Sequence, residues 1–184
     1  MTIGSAETRL IVLRGNSGAG KSTVAAELRD ACGQGLAWVS QDLIRRVILK
    51  EKDRPGAVNI GLIDQVVRYC LDHGCHAVLD GILRADAYGQ MLAGLKRDHL
   101  GASRFYYLDV ALDETIRRHA TRPQASEFGP DDMRMWYRPH DLLSAIQERV
   151  IPETSTLHQT VNLILAEAEL PTQSFPLRQS AQIG

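Results

Sequence analysis

Cysteine is scarce in this 184-residue chain and never forms a motif. Cys32, Cys70 and Cys75 are odd in number and include no C-x-x-C, which suggests neither a disulfide framework nor a zinc site. Cys70 and Cys75 read as small core residues. The six histidines show no H-E-x-x-H or similar metal spacing. An excess of one charge sign is also lacking. Lys and Arg number 21 against 22 Asp and Glu, a formal net charge of −1. The chain as a whole therefore has no pull toward nucleic acid or an anionic membrane, although a local basic patch is compatible with this balance. No apolar run approaches the ~18 residues of a membrane span. Met1 to Thr8 is polar and too short for a signal peptide, so a reducing cytoplasm is the expected location. Internal repeats and low-complexity tracts are absent. With 44% hydrophobic and 23% charged residues, the composition suits one domain with a sizeable core.

Against these absences stands one dense motif. Gly15-Asn16-Ser17-Gly18-Ala19-Gly20-Lys21-Ser22 fits the phosphate-binding loop pattern G-x-x-x-x-G-K-[ST] without departure. The apolar run Leu10-Ile11-Val12-Leu13 precedes it. Val24, Ala25, Leu28, Ala31 and Cys32 follow on one helical face. Strand, glycine-rich loop and helix are the context the motif requires. The glycines let the backbone turn its N–H groups inward, and the helix N-terminus adds partial positive charge. Lys21 is expected to reach the β- and γ-phosphates, and the Ser22 hydroxyl to sit on Mg²⁺.

Strand and helix patterns then alternate. Strands are predicted at 36–40, 76–80, 104–110 and 149–151. Helices are predicted at 41–50 with Ile44, Val47 and Ile48 inward, at 58–73, at 85–99 with Tyr88, Leu92, Leu95 and His99 on one stripe, and at 113–121. Thr154-Ser155 is expected to cap a last helix carrying Leu157, Val161, Ile164, Leu165 and Ala168. Residues 123–139 read as irregular, and the tail 171–184 as loose. Repeated βαβ units give a parallel sheet covered by helices on both faces.

The chain has no N-K-x-D to read guanine, and its D-x-x-G at Asp98–Gly101 leaves a helix rather than a strand. An L-S-G-G-Q signature is missing too. A compact nucleotide-dependent kinase remains. Four ordered stretches resemble the small bacterial P-loop kinases of the adenylate-kinase-like group, among them gluconate kinase, chloramphenicol phosphotransferase, the zeta-toxin kinases and the kinase domain of polynucleotide 5′-kinase. They are Arg14 to Thr23, Gln41-Asp42-Leu43-Ile44-Arg45, Leu79-Asp80-Gly81-Ile82-Leu83 and Glu114 to Arg122. The resemblance spans roughly Arg9 to Glu169. It implies an α/β three-layer P-loop NTPase fold, with a five-stranded parallel sheet in the order 2-3-1-4-5. It also implies an arginine-bearing lid over about 113–139, ATP and Mg²⁺ as cofactors, and Thr23 as part of the nucleotide-binding stretch.

The resemblance places a base for the acceptor hydroxyl at Asp42, with Arg45 at i+3 on the same helix face. A helix N-cap is the structural alternative for Asp42. Asp80 resembles the acid that acts on Mg²⁺, and Asp109, which also ends an apolar strand, competes for that role. Gly81 is expected to let substrate approach the backbone, with Arg84 and Tyr88 as substrate residues beside that strand end. Tyr88 also fits a core position. On the lid, Leu112, Ile116 and Ala120 share the anchoring face. Arg118 and Arg122 project opposite and close over the phosphates, with Arg117 offset. Trp136, Tyr137 and Arg138 read either as a substrate wall or, for the aromatic pair, as a cap on the core. The expected reaction is phosphoryl transfer from ATP to a hydroxyl of a small molecule. A polynucleotide 5′-kinase and a non-catalytic nucleotide-binding regulator are the alternatives. Oligomeric state is not visible in the sequence.

Overall fold

The computed structural model describes residues 1–120 and 128–172. In chain order the elements are β1 (Arg9–Arg14), α1 (Lys21–Cys32), β2 (Leu36–Ser40), a π-helical turn (Leu43–Ile48), α2 (Val58–Asp72), β3 (His76–Asp80), α3 (Ala85–Asp98), β4 (Ala102–Asp109), α4 (Leu112–His119), α5 (Pro130–Trp136), β5 (Arg149–Pro152) and α6 (Leu157–Glu167). All strand pairings are parallel, in the order β2-β3-β1-β4-β5.

The central strand β1 explains both helical layers. Its side chains alternate between the two faces of the sheet. Leu10 and Val12 pack with Ile63 and Val67 of α2 and Leu92 and Leu95 of α3. Ile11 and Leu13 pack with Val24 and Leu28 of α1 and Val161 and Ile164 of α6. Each such buried side chain contributes about 1.5–3 kcal/mol, so the unbroken apolar run of β1 anchors two cores at once. The register sets Leu13 of β1 opposite Asp80 of β3 and Tyr106 of β4. The loops that leave β1, β2 and β3 therefore emerge side by side at the carboxyl end of the sheet, where ligands bind in open α/β folds. No helix among the described residues is long and apolar enough to cross a membrane.

Four local expectations are corrected. The segment after β2 is helical, but with i→i+5 closure, as Leu49 N–H donates to Ile44 O at 3.0 Å. The wider turn changes the phase of the side chains. Ile44 stays buried, while Val47 and Ile48 are 64% and 59% exposed. On α4 the buried residues are Thr115 and His119, not the stripe Leu112, Ile116 and Ala120. Thr115 Oγ1 donates to Leu112 O, and His119 stacks on Phe128, so polar groups satisfied locally take the inner face. The irregular reading of 123–139 misses α5. That helix starts at Pro130 with Asp131 and Asp132 in its first turn, and Asp132 accepts the Gly129 N–H at 3.0 Å. Finally, α6 is capped by Thr156, with Gln159 closing the capping box, rather than by Thr154-Ser155. Arg122 and the tail from 173 onward lie outside the described residues.

Candidate active site

The phosphate-binding loop runs from the end of β1 to the start of α1. Gly18 has φ 83°, and a Cβ there would lie 2.6 Å from the Thr115 carbonyl oxygen, so the loop is pressed against α4 and tolerates no side chain at that point. Lys21 is buried and its Nζ donates to Asn16 O at 2.8 Å, across the loop. Ser22 Oγ donates to Asp80 Oδ2 at 2.6 Å, and Trp38 Nε1 donates to Asp80 Oδ1 at 2.7 Å. Asp80 is thus the acid joined to the loop hydroxyl. Asp109, one strand further on, faces His140 Nδ1 at 3.3 Å. Among the described residues no group of three or more His, Cys, Asp or Glu could hold a metal ion. Ser22 and Asp80 together offer a hydroxyl and a carboxylate oxygen beside the loop, the donor types a P-loop cation takes.

Asp42 makes no cap hydrogen bond to the helix it precedes. Its carboxylate pairs with Arg45 at 2.9 Å, and its side chain is 65% exposed. Arg45 also donates to Glu51 O at 3.3 Å, and Glu51 in turn accepts the N–H groups of Val58 and Asn59 at the start of α2. Arg84, the residue before α3, pairs with Asp86 Oδ1 at 3.1 Å. Arg138 reaches the other oxygen of the same carboxylate at 3.1 Å.

Tyr88, expected beside the substrate, is instead fully buried. Its hydroxyl accepts from Gln41 Nε2 at 2.7 Å and lies 2.8 Å from both Asp53 Oδ1 and Asn59 Oδ1. Burial pushes its phenol well above the ordinary range, so it stays protonated and serves as a post joining three segments. Gly81 is likewise not open to substrate. A Cβ there would lie 2.6 Å from Gln41 Cβ, so the space is already taken by that side chain. Gln41 Oε1 accepts the Leu83 N–H at 3.1 Å, and Arg14 Nε donates to Leu83 O at 2.9 Å. These two bonds hold Leu83 at φ 45°, a conformation costing a non-glycine residue about 1–2 kcal/mol, and so fix the direction in which Arg84 leaves the sheet.

On α4, Arg118 Nε donates to Glu114 at 2.6 Å while its Nη1 lies 3.4 Å from Ala19 O in the loop. Arg117 grips the same carboxylate through two N–H groups. Hydrogen bonds from Arg117 and then Arg118 bring the Glu114 carboxyl down to about 2. Arg118 is thus held beside the loop, while Arg117 stays at the surface on Glu114.

Two cavities meet the loop. One, of about 540 Å³, is lined by Ala19, Gly20, Thr23, Arg117, Arg118 and the residues between β5 and α6. The other, of about 530 Å³, begins at Ser17 and is lined by Asp42, Arg45, Arg84, Phe128, Trp136 and Arg138, among others. Trp136 and Arg138 therefore stand in a cavity wall, whereas Tyr137 turns away and donates its hydroxyl to Val110 O at 3.1 Å.

Sequence reasoning overlooked two supports of this arrangement. Arg14 is fully buried and pairs with Glu148 at 2.7 Å and Asp141 at 3.1 Å. Asn16 exchanges two hydrogen bonds with the Arg138 backbone, at 2.8 and 2.9 Å, which ties the loop to the wall of the second cavity. The one available signal was Arg14 itself, a cation at the end of an otherwise apolar strand.

A family profile described as AAA domain (AAA_33) matches residues 10–139. The chain is 25% identical over 197 residues to a protein of Methanoculleus marisnigri named "Probable thymidylate kinase", covering 89% of this chain and 88% of that one. Among solved structures, the Mycobacterium tuberculosis APS kinase in complex with AMPPNP and APS superposes with a TM-score of 0.65 at 14% identity, covering 92% of this chain and 99% of that one. A gluconokinase from Sinorhizobium meliloti 1021 superposes with a TM-score of 0.60 at 18% identity, covering 90% and 94%. At these identities the structural likeness establishes a shared fold.

Proposed function

The chain belongs to the AAA domain family, with the fold of small P-loop kinases, and on that premise we propose that it is an ATP- and Mg²⁺-dependent phosphotransferase acting on a hydroxyl group of a small molecule. The observation that carries this reading is the pair of cavities on either side of Gly18. One is flanked by the start of α1 and by Arg118, and the other has Asp42 in its wall. A nucleotide in the first presents its terminal phosphate to an acceptor in the second.

The loop N–H groups from Gly15 to Thr23 and the Lys21 ammonium hold the phosphates. Ser22 and Asp80 suit a magnesium ion, which when bound supplies neutralisation of the phosphate charge. Asp42 orients the acceptor hydroxyl and takes its proton. The acceptor oxygen forms its bond to the γ-phosphorus as the bond to the β,γ-bridging oxygen breaks, and ADP leaves. Arg118 neutralises charge on the transferring group. Arg122 is proposed for the same task, as part of a lid over about 113–139 within a single domain. Arg45 and Arg84 orient the acceptor. Gluconokinase and APS kinase share this fold, and the APS kinase structure holds AMPPNP and APS in one complex.

A screen of hydroxyl compounds for acceptor-dependent ADP formation tests the proposal. An acceptor that raises ADP release in wild type should fail to do so in Lys21→Ala, which loses an interaction with the transferring phosphoryl group. Turnover of Lys21→Ala within a few-fold of wild type would remove the loop from the mechanism.

A further inference from the structure

The acceptor cavity differs in charge from the chain that builds it. The whole sequence is balanced, with 21 cations against 22 carboxylates. The described residues lining this cavity include Arg45, Arg46, Lys52, Arg84 and Arg138 against only Asp42 and Asp53. Both carboxylates are engaged, Asp42 by Arg45 and Asp53 by the buried Tyr88 hydroxyl.

Arg84 and Arg138 come from segments 54 residues apart, yet their guanidinium groups meet on the two oxygens of Asp86. One carboxylate between two guanidinium groups leaves net positive charge, and the five N–H donors of each fork are not exhausted by a single bond at 3.1 Å. The pair is held in place from behind. Leu83 is locked by Gln41 and Arg14 just before Arg84, and the Arg138 backbone is clipped to Asn16. Facing cations fixed in this way bind an anion without the entropy cost of gathering two flexible side chains.

Resting on the phosphotransfer reading above, we propose that the acceptor is a small anionic hydroxyl compound, whose phosphate, sulfate or carboxylate group is held by Arg84 and Arg138 while its hydroxyl faces Asp42. The cavity of about 530 Å³ is the size of a small-molecule site. Phe128 and Trp136, with ring centroids 5.2 Å apart, supply an apolar wall for the rest of the molecule.

Binding and turnover test this separately. Protein saturated with Mg²⁺ and AMPPNP, so that the loop is filled, is titrated with sodium sulfate by calorimetry at constant ionic strength. Saturable binding is expected with Kd on the order of millimolar. It should weaken by roughly tenfold or more in the Arg84→Gln/Arg138→Gln double variant, which lacks both charged donors. Absence of saturable sulfate binding, or equal affinity in the folded double variant, overturns the proposal whatever the state of phosphotransfer.

ADP formation is then compared within two matched pairs, D-glucose with D-gluconate and thymidine with thymidine 5′-monophosphate, alongside a 5′-hydroxyl oligonucleotide. The anionic member of a pair should be preferred, by roughly tenfold or more in kcat/KM. Gluconate responding identifies a carboxylate source, and the monophosphate a phosphate source when the new phosphoryl group is found on its 3′-hydroxyl; transfer to its phosphate instead overturns the proposal. Equal use of the neutral members, or use of the oligonucleotide alone, overturns the proposal. If no compound of the wider hydroxyl screen releases ADP while sulfate binds as expected, the phosphotransfer reading falls and the anion site stands.

Discussion

Asp42 is the residue proposed to act on the acceptor, and its surroundings allow that role to be tested apart from the nucleotide site. It is exposed, pairs with Arg45 at the surface and makes no helix cap, so replacing it by Asn leaves the helix start uncapped as before and costs at most a solvent-exposed ion pair. Asp42→Asn should lower kcat by about 10²-fold or more while AMPPNP affinity stays near wild type. Loss of nucleotide affinity in equal measure would move Asp42 to the nucleotide site. Arg118 lies against Ala19 in the loop, and Arg118→Ala should slow the single-turnover rate more than it weakens ATP binding, because its charge matters most while the phosphoryl group is in transit. What marked these positions in the sequence is local: Lys21 and Ser22 sit in a contiguous motif, Asp80 ends an apolar strand, and Asp42 follows β2 at the start of the next helical turn. Tyr88 carried no such mark. Its partners Gln41, Asp53 and Asn59 come from three segments, and no local pattern distinguishes a tyrosine that binds them from one that lines a pocket.

Elements were legible where hydrophobic period and length agreed, as in β1, α2 and α3, and obscure where hydrogen-bond closure or capping decided the outcome. The turn after β2 has a helical composition, yet i→i+5 closure moves Val47 and Ile48 to the surface, and a periodicity template of 3.6 residues cannot register that. The start of α5 was marked by Gly129-Pro130-Asp131-Asp132. Proline at the first helical position followed by acids in the first turn is a start signal, but between flanking prolines it reads equally as a loop. The segment joining α5 to β5 has little regular structure and depends on Arg14 for its position. Glu148 has a 1% exposed side chain, and Arg14 is the cation facing it. Arg14→Met should therefore destabilise the fold by about 3–5 kcal/mol in urea unfolding, since it leaves buried carboxylates uncompensated. The Arg14→Met/Glu148→Gln double variant should recover part of that loss. A single variant as stable as wild type would show that the buried pair contributes nothing net.

Over the whole molecule the two ends of the sheet differ in character. The carboxyl end carries the loop, Asp42 and Asp80, and the amino end holds two histidines whose surroundings disfavour protonation. This division was only half visible in the sequence. Alternating strands and helices indicate the parallel sheet and hence the end that binds ligands, whereas the burial of a histidine depends on which chain ends fold over it. His76 Nδ1 accepts the Arg9 N–H at 3.1 Å, and His99 lies between Thr8 Oγ1 and Ser103 Oγ at 2.9 Å each. Burial, followed by the nearby Arg9 charge, pushes both imidazoles below their ordinary value. The unfolded chain then takes up protons near pH 6.5, while the folded chain resists them until the pH is lower. The sign follows directly: stability is fully present above pH 6.5 and is lost as pH falls through the folded values. Thermal unfolding should show a Tm several degrees lower at pH 5.5 than at pH 7.5, since ~1 kcal/mol corresponds to roughly 2–4 °C in a chain of this size. A His76→Asn/His99→Asn variant that still folds should lose most of this slope, even if its Tm is lower throughout. An unchanged slope in that variant would assign the acid sensitivity to groups elsewhere, and a wild-type Tm that does not fall toward pH 5.5 would show that neither histidine is held neutral.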